Sequence, residues 1–252
     1  MTEPISVIAI AMLAAFLVGM SKGGLPAVGA LAVPVMALVM APMAAAALLL
    51  PIFVATDLVG LWLYRKIYSP RNLAILIPAG VVGVAFGWAI AAHISDVFVG
   101  MLVGLTGIAF CLRIWLAGKG SAEARPADLP GGVLWGTLAG FTSFVSHSGA
   151  PPFQMYVLPQ KLEKLVFAGT STITFAVINA AKIIPYWELN SFAAVDSKLA
   201  LLVLPVGIVG TVAGAKLTRV IPDGLFFRLV QVTLFLISLK LVGDAVLALA
   251  RA

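Results

Sequence analysis

The feature that most limits this chain is a succession of apolar runs that fills it almost from end to end. They lie at about 5–20, 27–41, 43–64, 73–92 and 97–117, then at 132–146, 150–160, 165–186, 199–217 and 225–250. Each is bounded by charges, proline or glycine. A water-soluble domain carries about 25% charged residues. Here 62% of the residues are hydrophobic, 10% are charged, and the mean hydropathy is +1.12. Too little polar surface remains to cover a body in water. The pattern predicts an all-α integral membrane protein and argues against a soluble enzyme, a nucleic-acid binder and a secreted disulfide scaffold. The net charge of +6 then reads as an orientation signal on loops. Cys111, the single cysteine, cannot form an internal disulfide. No basic stretch precedes the first apolar run, so no cleavable signal peptide is expected.

Run length separates the segments. A bilayer crossing takes about 20 residues. The runs 43–64, 73–92, 97–117, 165–186 and 225–250 meet that length, and 199–217 nearly does. The other four reach only about 15–24 Å at the helical rise per residue. They come in pairs, each interrupted by small residues and proline. One break is Ser21-Lys22-Gly23-Gly24-Leu25-Pro26, the other Ser146-His147-Ser148-Gly149-Ala150-Pro151. Broken backbone at membrane depth survives only against protein or a wet cavity, so each pair predicts a re-entrant hairpin. The expectation is six full crossings and two hairpins.

The two breaks are related by an internal repeat. Ser21, Gly24 and Pro26 match Ser146, Gly149 and Pro151 at an offset of 125, as do Phe16 and Phe141, Pro34 and Pro159, and Trp62 and Trp187. Farther on, at an offset of 127, Pro78, Gly80, Gly83, Gly87 and Asp96 match Pro205, Gly207, Gly210, Gly214 and Asp223. This divides the chain into a first membrane repeat at 1–117, a polar linker at 118–131 and a second membrane repeat at 132–252. Each repeat holds one hairpin and three crossings, an odd number, so the second is expected upside down. Arg65, Lys66, Arg71, Lys119, Arg125, Lys161, Lys164 and Arg219 fall on one alternate set of loops, which the positive-inside rule assigns to the cytoplasm. Both termini then face outward.

The Gly19-Met-Ser-Lys-Gly-Gly-Leu-Pro26 break carries a family resemblance. So do its echo, Gly140-Phe-Thr-Ser-Phe-Val-Ser-His-Ser-Gly-Ala-Pro-Pro152, and Gly169-Thr-Ser-Thr172 in the next helix. These segments resemble the TauE/SafE sulfite-exporter family of membrane permeases, over nearly the whole chain. The second break carries Ser-His-Ser where family members often show more glycine. The resemblance implies transport of small sulfur-containing anions, such as sulfite or an organosulfonate like sulfoacetate, in a bacterial inner membrane.

The residues themselves also suit an anion. A helix N-terminus leaves N–H groups unpaired and carries about half a positive charge, and glycine lets an oxyanion approach those amides. Residues 23–27 and 148–153 are expected to present such termini to one another across the repeat axis. The candidate substrate-binding residues are Ser21, Lys22, Gly23, Gly24, Ser146, His147, Ser148, Gly149, Thr170, Ser171 and Asn179. Lys22 reads either as an anion ligand or as a lysine snorkelling to an interface. His147, at the matching position, reads as a ligand or as a neutral histidine bonded within the break, and its ordinary pKa suits proton coupling. Asp57 and Lys182 match at the offset of 125 inside crossing helices, and a buried pair between them is expected, as a tie or as a gate. His147, Asp57 and Lys182 are therefore the candidate coupling and gating residues. Lys240 and Asp244, four apart, are expected to pair locally.

The function expected is a secondary transporter working by alternating access, with protons as the coupling ion. Its partners are the anion, protons and the lipid bilayer, with no nucleic acid and no cofactor or metal site expected, and a homodimer stays open. No G-x-x-x-x-G-K-[ST] signature for ATP hydrolysis occurs. Two alternatives of the same fold are an anion channel and a carrier for another small oxyanion or carboxylate. An intramembrane hydrolase on Ser146 or Ser148 would need a base held opposite the nucleophile, and His147 is its sequence neighbour.

Overall fold

Asp128 and Asp196 show how this chain opens its helices. Asp128 Oδ2 accepts from Gly131 N at 2.7 Å, and Asp196 Oδ1 accepts from Lys198 N and Leu199 N at 2.8 and 3.2 Å. Each carboxylate takes up donors that a first helical turn leaves free. The computed structural model describes residues 5–29, 31–40, 42–90, 96–116, 124–189 and 195–250, and among them there is no strand. The first half contains α1 (Ile5–Lys22), the short α2 (Pro26–Gly29) and α3 (Ala32–Met36), then α4 (Pro42–Tyr64), α5 (Pro70–Ile90) and α6 (Asp96–Leu116). The second contains α7 (Leu129–Ser146), α8 (Ala150–Val157) with a 3-10 turn at Leu158–Gln160, then α9 (Lys164–Glu188), α10 (Ser197–Val220) and α11 (Asp223–Leu249).

Six described helices are long and apolar enough to cross a membrane: α1, α4, α5, α9, α10 and α11. The expected count was also six, but with α6, here 21 residues long, and without α1. The first legs of both breaks are longer than their apolar runs. Ser21 and Lys22 continue α1 because Ser21 Oγ donates to Val18 O at 2.6 Å and the Lys22 charge meets a carboxylate inside the bundle. Asp128 starts α7 at Leu129, inside what the sequence assigns to the linker. Both legs are 18 residues, about 27 Å. The helices that follow the breaks are short. All eight residues of α8 are buried, Gln154 included. The linker's residues 118–123 lie outside the described residues, as does His93.

The longest seams join α1 to α10 and α7 to α5. At the sequence offsets these are counterparts of one another. Glycine makes both seams tight. A Cβ at Gly83 would collide with the Thr137 carbonyl, and one at Gly210 with the Phe16 carbonyl. Small residues allow membrane helices this approach: Gly83, Gly87, Gly210 and Gly214 face these seams, while Gly80 and Gly207 point at Ile178 of α9 and at Ile52 and Thr56 of α4. α4 packs on α9, and α6 on α11.

Polarity is arranged inside out. Leu58, Trp62, Ile184, Trp187 and Leu201 are exposed, while Lys22, Asp57, His147, Asn179 and Lys182 are buried. These five polar groups gather where α1, α4, α7 and α9 meet. Lys240 and Asp244 pair at the exposed surface of α11 as expected.

Candidate functional site

The last turn of α1 brings Lys22 against the middle of α4. Lys22 Nζ lies 2.8 Å from Asp57 Oδ1, and Asn179 Nδ2 of α9 donates to Asp57 Oδ2 at 2.7 Å. Oδ1 thus faces the lysine charge and Oδ2 accepts a hydrogen bond, contacts that offset part of the desolvation of a buried ion pair. This replaces the expected Asp57–Lys182 pair. On α9, Asn179 holds the position that faces Asp57, and Lys182, about one turn farther along, faces α7 instead. Lys22 is 4% exposed, so it does not snorkel.

Lys182 makes a second polar centre. Its Nζ donates to Ser143 O at 3.0 Å and to Ser143 Oγ at 2.9 Å, and lies 3.3 Å from His147 Nδ1. The other ring nitrogen, His147 Nε2, lies 3.3 Å from Tyr186 Oη, which also donates to Phe144 O at 3.2 Å. An ammonium has only donors, so opposite a charged Lys182 the imidazole accepts at Nδ1 and carries its proton on Nε2. Phe53 of α4 stacks on this ring, with centroids 5.2 Å apart and planes within 7°.

The two breaks turn differently. After α1, Gly24 takes φ of 113°, Leu25 N donates to Met20 O and Gly24 N to Ser21 O, which is a Schellman ending. After α7 the left-handed residue is His147, at φ 53°. Its N–H reaches Ser143 O, and Ser148 N reaches Thr142 O, a wider turn. A non-glycine residue held in this region costs roughly 1–3 kcal/mol and clusters at functional sites. The sequence match of Lys22 with His147 therefore pairs a helical residue with a left-handed cap.

Between the breaks lies a cavity of about 430 Å³, counted with the space at its mouth. Its polar wall is Ser21, Lys22, Ser143, His147, Ser171, Thr172 and Asn179. Its apolar wall includes Phe53 and Phe175, over whose rings Lys22 Nζ stands at 5.1 and 6.0 Å from the centroids. Lys182 sits behind Ser143 and His147 rather than in the lining. Of the expected ligands, Gly23, Gly24, Ser148, Gly149 and Thr170 are not in the lining of this cavity. Gly23 packs tightly on α10, and its carbonyl accepts from Tyr64 Oη at 2.6 Å and Thr218 Oγ1 at 3.2 Å. Gly24 forms the turn. Ser148 is buried in the break, and Gly149 caps α8. Thr170 accepts from Ser69 N at 2.9 Å, tying the loop before α5 to α9. The side chain of Ser146 lies outside the described residues.

The helices after the two breaks differ in length. α2 has four residues, too few to build an end charge, whereas α8 has eight and places Ala150 of its first turn on the cavity wall. Ser143, Phe53, Phe175 and Tyr186 escaped the sequence reading. Ser143 falls within the quoted second motif, but an aromatic inside an apolar run carries no mark that separates cavity wall from core.

The model of the sulfite exporter TauE/SafE family matches residues 11–241. The chain belongs to this family. The probable membrane transporter protein MamO of Magnetospirillum gryphiswaldense (strain DSM 6361 / JCM 21280 / NBRC 15271 / MSR-1) is 26% identical over 209 residues. That alignment covers 66% of this chain and 33% of MamO, so the chain spans about a third of the length of this curated relative. No solved structure matches. Family membership and six helices of crossing length together make this TauE/SafE chain a multi-pass membrane protein of a transporter family.

Proposed function

We propose that the chain is a secondary transporter for a small sulfur-containing anion, sulfite or a short organosulfonate, in a bacterial cytoplasmic membrane. The observation that carries this reading is the cavity between two helix breaks, walled by Lys22, His147 and hydroxyl donors in a TauE/SafE chain. Lys22 and Asp57 neutralise each other, so the charge left to meet an anion is that of Lys182, delivered through His147 and Ser143. Ser171 and the second amide hydrogen of Asn179 add donors, while the Thr172 hydroxyl is spent on Lys22 O.

In this reading the two halves are inverted repeats, and each break with its short returning leg is a moving gate. The matched seams α1·α10 and α7·α5 support the symmetry. Exchanging which break is sealed would expose the cavity to one side at a time, a recurring plan for carriers. Protons supply the driving force. The test is counterflow: proteoliposomes loaded with unlabelled sulfite, sulfate, thiosulfate or sulfoacetate are offered the labelled compound. Transient accumulation of labelled sulfite or sulfoacetate is expected. Absence of counterflow with every sulfur anion overturns the reading, and a conductance without counterflow indicates a channel.

A further inference from the structure

We propose that Asp57 sets the charge of the cargo. By cancelling Lys22 it leaves the cavity able to balance one negative charge, so the site takes a singly charged sulfur oxyanion and rejects sulfate and thiosulfate. Hydrogensulfite and the alkanesulfonates are singly charged. This deepens the transport reading above and rests on it.

The charges around the cavity can be counted. Lys22 lines the wall, and its Nζ lies 2.8 Å from Asp57 Oδ1. Asn179 Nδ2 holds the other carboxylate oxygen at 2.7 Å, which keeps the group turned to the lysine. Lys182 stands behind the wall. The three hydrogens of its ammonium are matched by Ser143 O, Ser143 Oγ and His147 Nδ1, at 3.0, 2.9 and 3.3 Å. His147 accepts at Nδ1 in that arrangement, so its ring adds no charge. Lys164, another buried lysine, is paired with Asp223 at the start of α9. Two lysines and one aspartate thus give the cavity a net charge of at most +1. The first turn of α8, which reaches the wall at Ala150, adds a fraction of a charge and falls short of a second one.

Matched positions on α4 and α9 indicate that Asp57 is present for its charge. At an offset of 122, Phe53, Asp57 and Tyr64 of α4 match Phe175, Asn179 and Tyr186 of α9. Both phenylalanine rings stand beside Lys22 Nζ, at 5.1 and 6.0 Å from the centroids. Each tyrosine hydroxyl donates to a carbonyl at the close of α1 or α7, Gly23 O at 2.6 Å and Phe144 O at 3.2 Å. Two of the three pairs therefore agree in residue type and in contact. The third sets an acid against its own amide, and acid and amide have nearly the same shape. What the acid adds is a negative charge, placed against the lysine of the cavity wall.

A dianion bound here keeps one charge without a partner. In a buried site that charge loses its hydration and gains nothing in return. Leaving a competitor with an unpaired charge is a general route to specificity. Sulfite fits the rule as hydrogensulfite, its singly protonated form.

The test measures dissociation constants of the purified protein in detergent, by titration calorimetry, for methanesulfonate and for sulfate. Both present a tetrahedral sulfur, and they differ by one charge. Wild type should bind methanesulfonate about tenfold or more tighter than sulfate. Asp57→Asn unmasks Lys22 and should shift this ratio toward sulfate by about tenfold or more, where a merely structural ion pair would weaken both anions alike. Lys22→Met combined with Asp57→Asn keeps the charge sum and should keep the wild-type ratio. Lys182→Met leaves no net positive charge and should lose methanesulfonate. If Asp57→Asn does not fold, the other two variants decide the matter. The rule makes the lysine in the wall dispensable together with its aspartate, and the lysine behind the wall indispensable. An unchanged ratio in Asp57→Asn overturns the proposal. So does a double variant that no longer binds methanesulfonate, or a Lys182→Met that still does. Equal binding of the two anions by wild type defeats the charge rule alone, whereas binding of neither defeats the transport reading for these anions and the rule with it.

Discussion

Lys22, the last residue of α1, forms its ion pair with Asp57 of α4 at 2.8 Å, while Lys182, which matches Asp57 in the repeat, stands apart with Ser143 and His147. A buried ion pair is held by mutual need more than by net attraction. Removing one partner strands the other charge in low dielectric. Asp57→Asn or Lys22→Met alone should destabilise the protein by about 3–5 kcal/mol. The double variant should recover most of that. Thermal melting in detergent measures it, and the same cycle between Asp57 and Lys182 should give clearly weaker coupling.

The glycine seams predict opposite signs at different glycines. Gly83→Ala places a methyl against the Thr137 carbonyl and Gly210→Ala one against the Phe16 carbonyl, each backbone that cannot swing aside. Either should cost about 1–3 kcal/mol and lower the melting temperature. At Gly243, in α11, a new Cβ meets nothing within 4 Å, so Gly243→Ala should stabilise by up to about 1 kcal/mol through helix propensity. Destabilisation at Gly243 equal to that at Gly83 would refute the seam account.

His147 separates conformation from chemistry. Its backbone sits in the left-handed region that glycine occupies without penalty. His147→Gly relieves the backbone cost but removes the imidazole that Lys182, Tyr186 and Phe53 contact, so it should fold less stably than wild type and lose sulfite transport. His147→Val, branched at Cβ and forced to the same φ, should be destabilised as well. Transport retained by His147→Gly would remove the imidazole from the site.

Orientation is open to direct labelling. In a Cys111→Ser background, Lys66→Cys and Glu188→Cys place exposed thiols just beyond α4 and at the end of α9. An impermeant maleimide should reach the position-188 thiol from outside intact cells and the position-66 thiol only after lysis. Labelling of both from the same side would break the inverted arrangement.

Much of the architecture was legible in one dimension because hydropathy and punctuation are local. Apolar runs mark helices that must face lipid, and Gly/Pro clusters mark where a helix stops. The duplicated motifs tied Ser21–Pro26 to Ser146–Pro151. Helix ends were less legible. Ser21 and Lys22 look like a terminus by polarity, yet they extend α1, because Val18 O and Asp57, the latter far away in sequence, satisfy them. Asp128 shifts the start of α7 for the matching reason, a cap that overrides composition.

The site divided along the same line. The sequence by itself determined which scarce polar residues lie inside apolar helices: Lys22, Asp57, His147, Asn179 and Lys182. It marked them as groups that need a partner or a role, because a charge in hydrocarbon is costly, though His147 stands in the turn after α7 and the snorkelling reading of Lys22 stayed open. It did not determine who meets whom. Repeat symmetry put Asp57 opposite Lys182. Pairing, however, depends on helix rotation and side-chain reach, and these are set by the glycine seams and the two different turns. Only the tertiary structure decided that Lys22 takes the carboxylate, that Asn179 takes its second oxygen, and that Lys182 is left to an imidazole and a serine. Composition and spacing fix which groups must be buried. Three-dimensional packing fixes their partners, since only there do distance and direction exist.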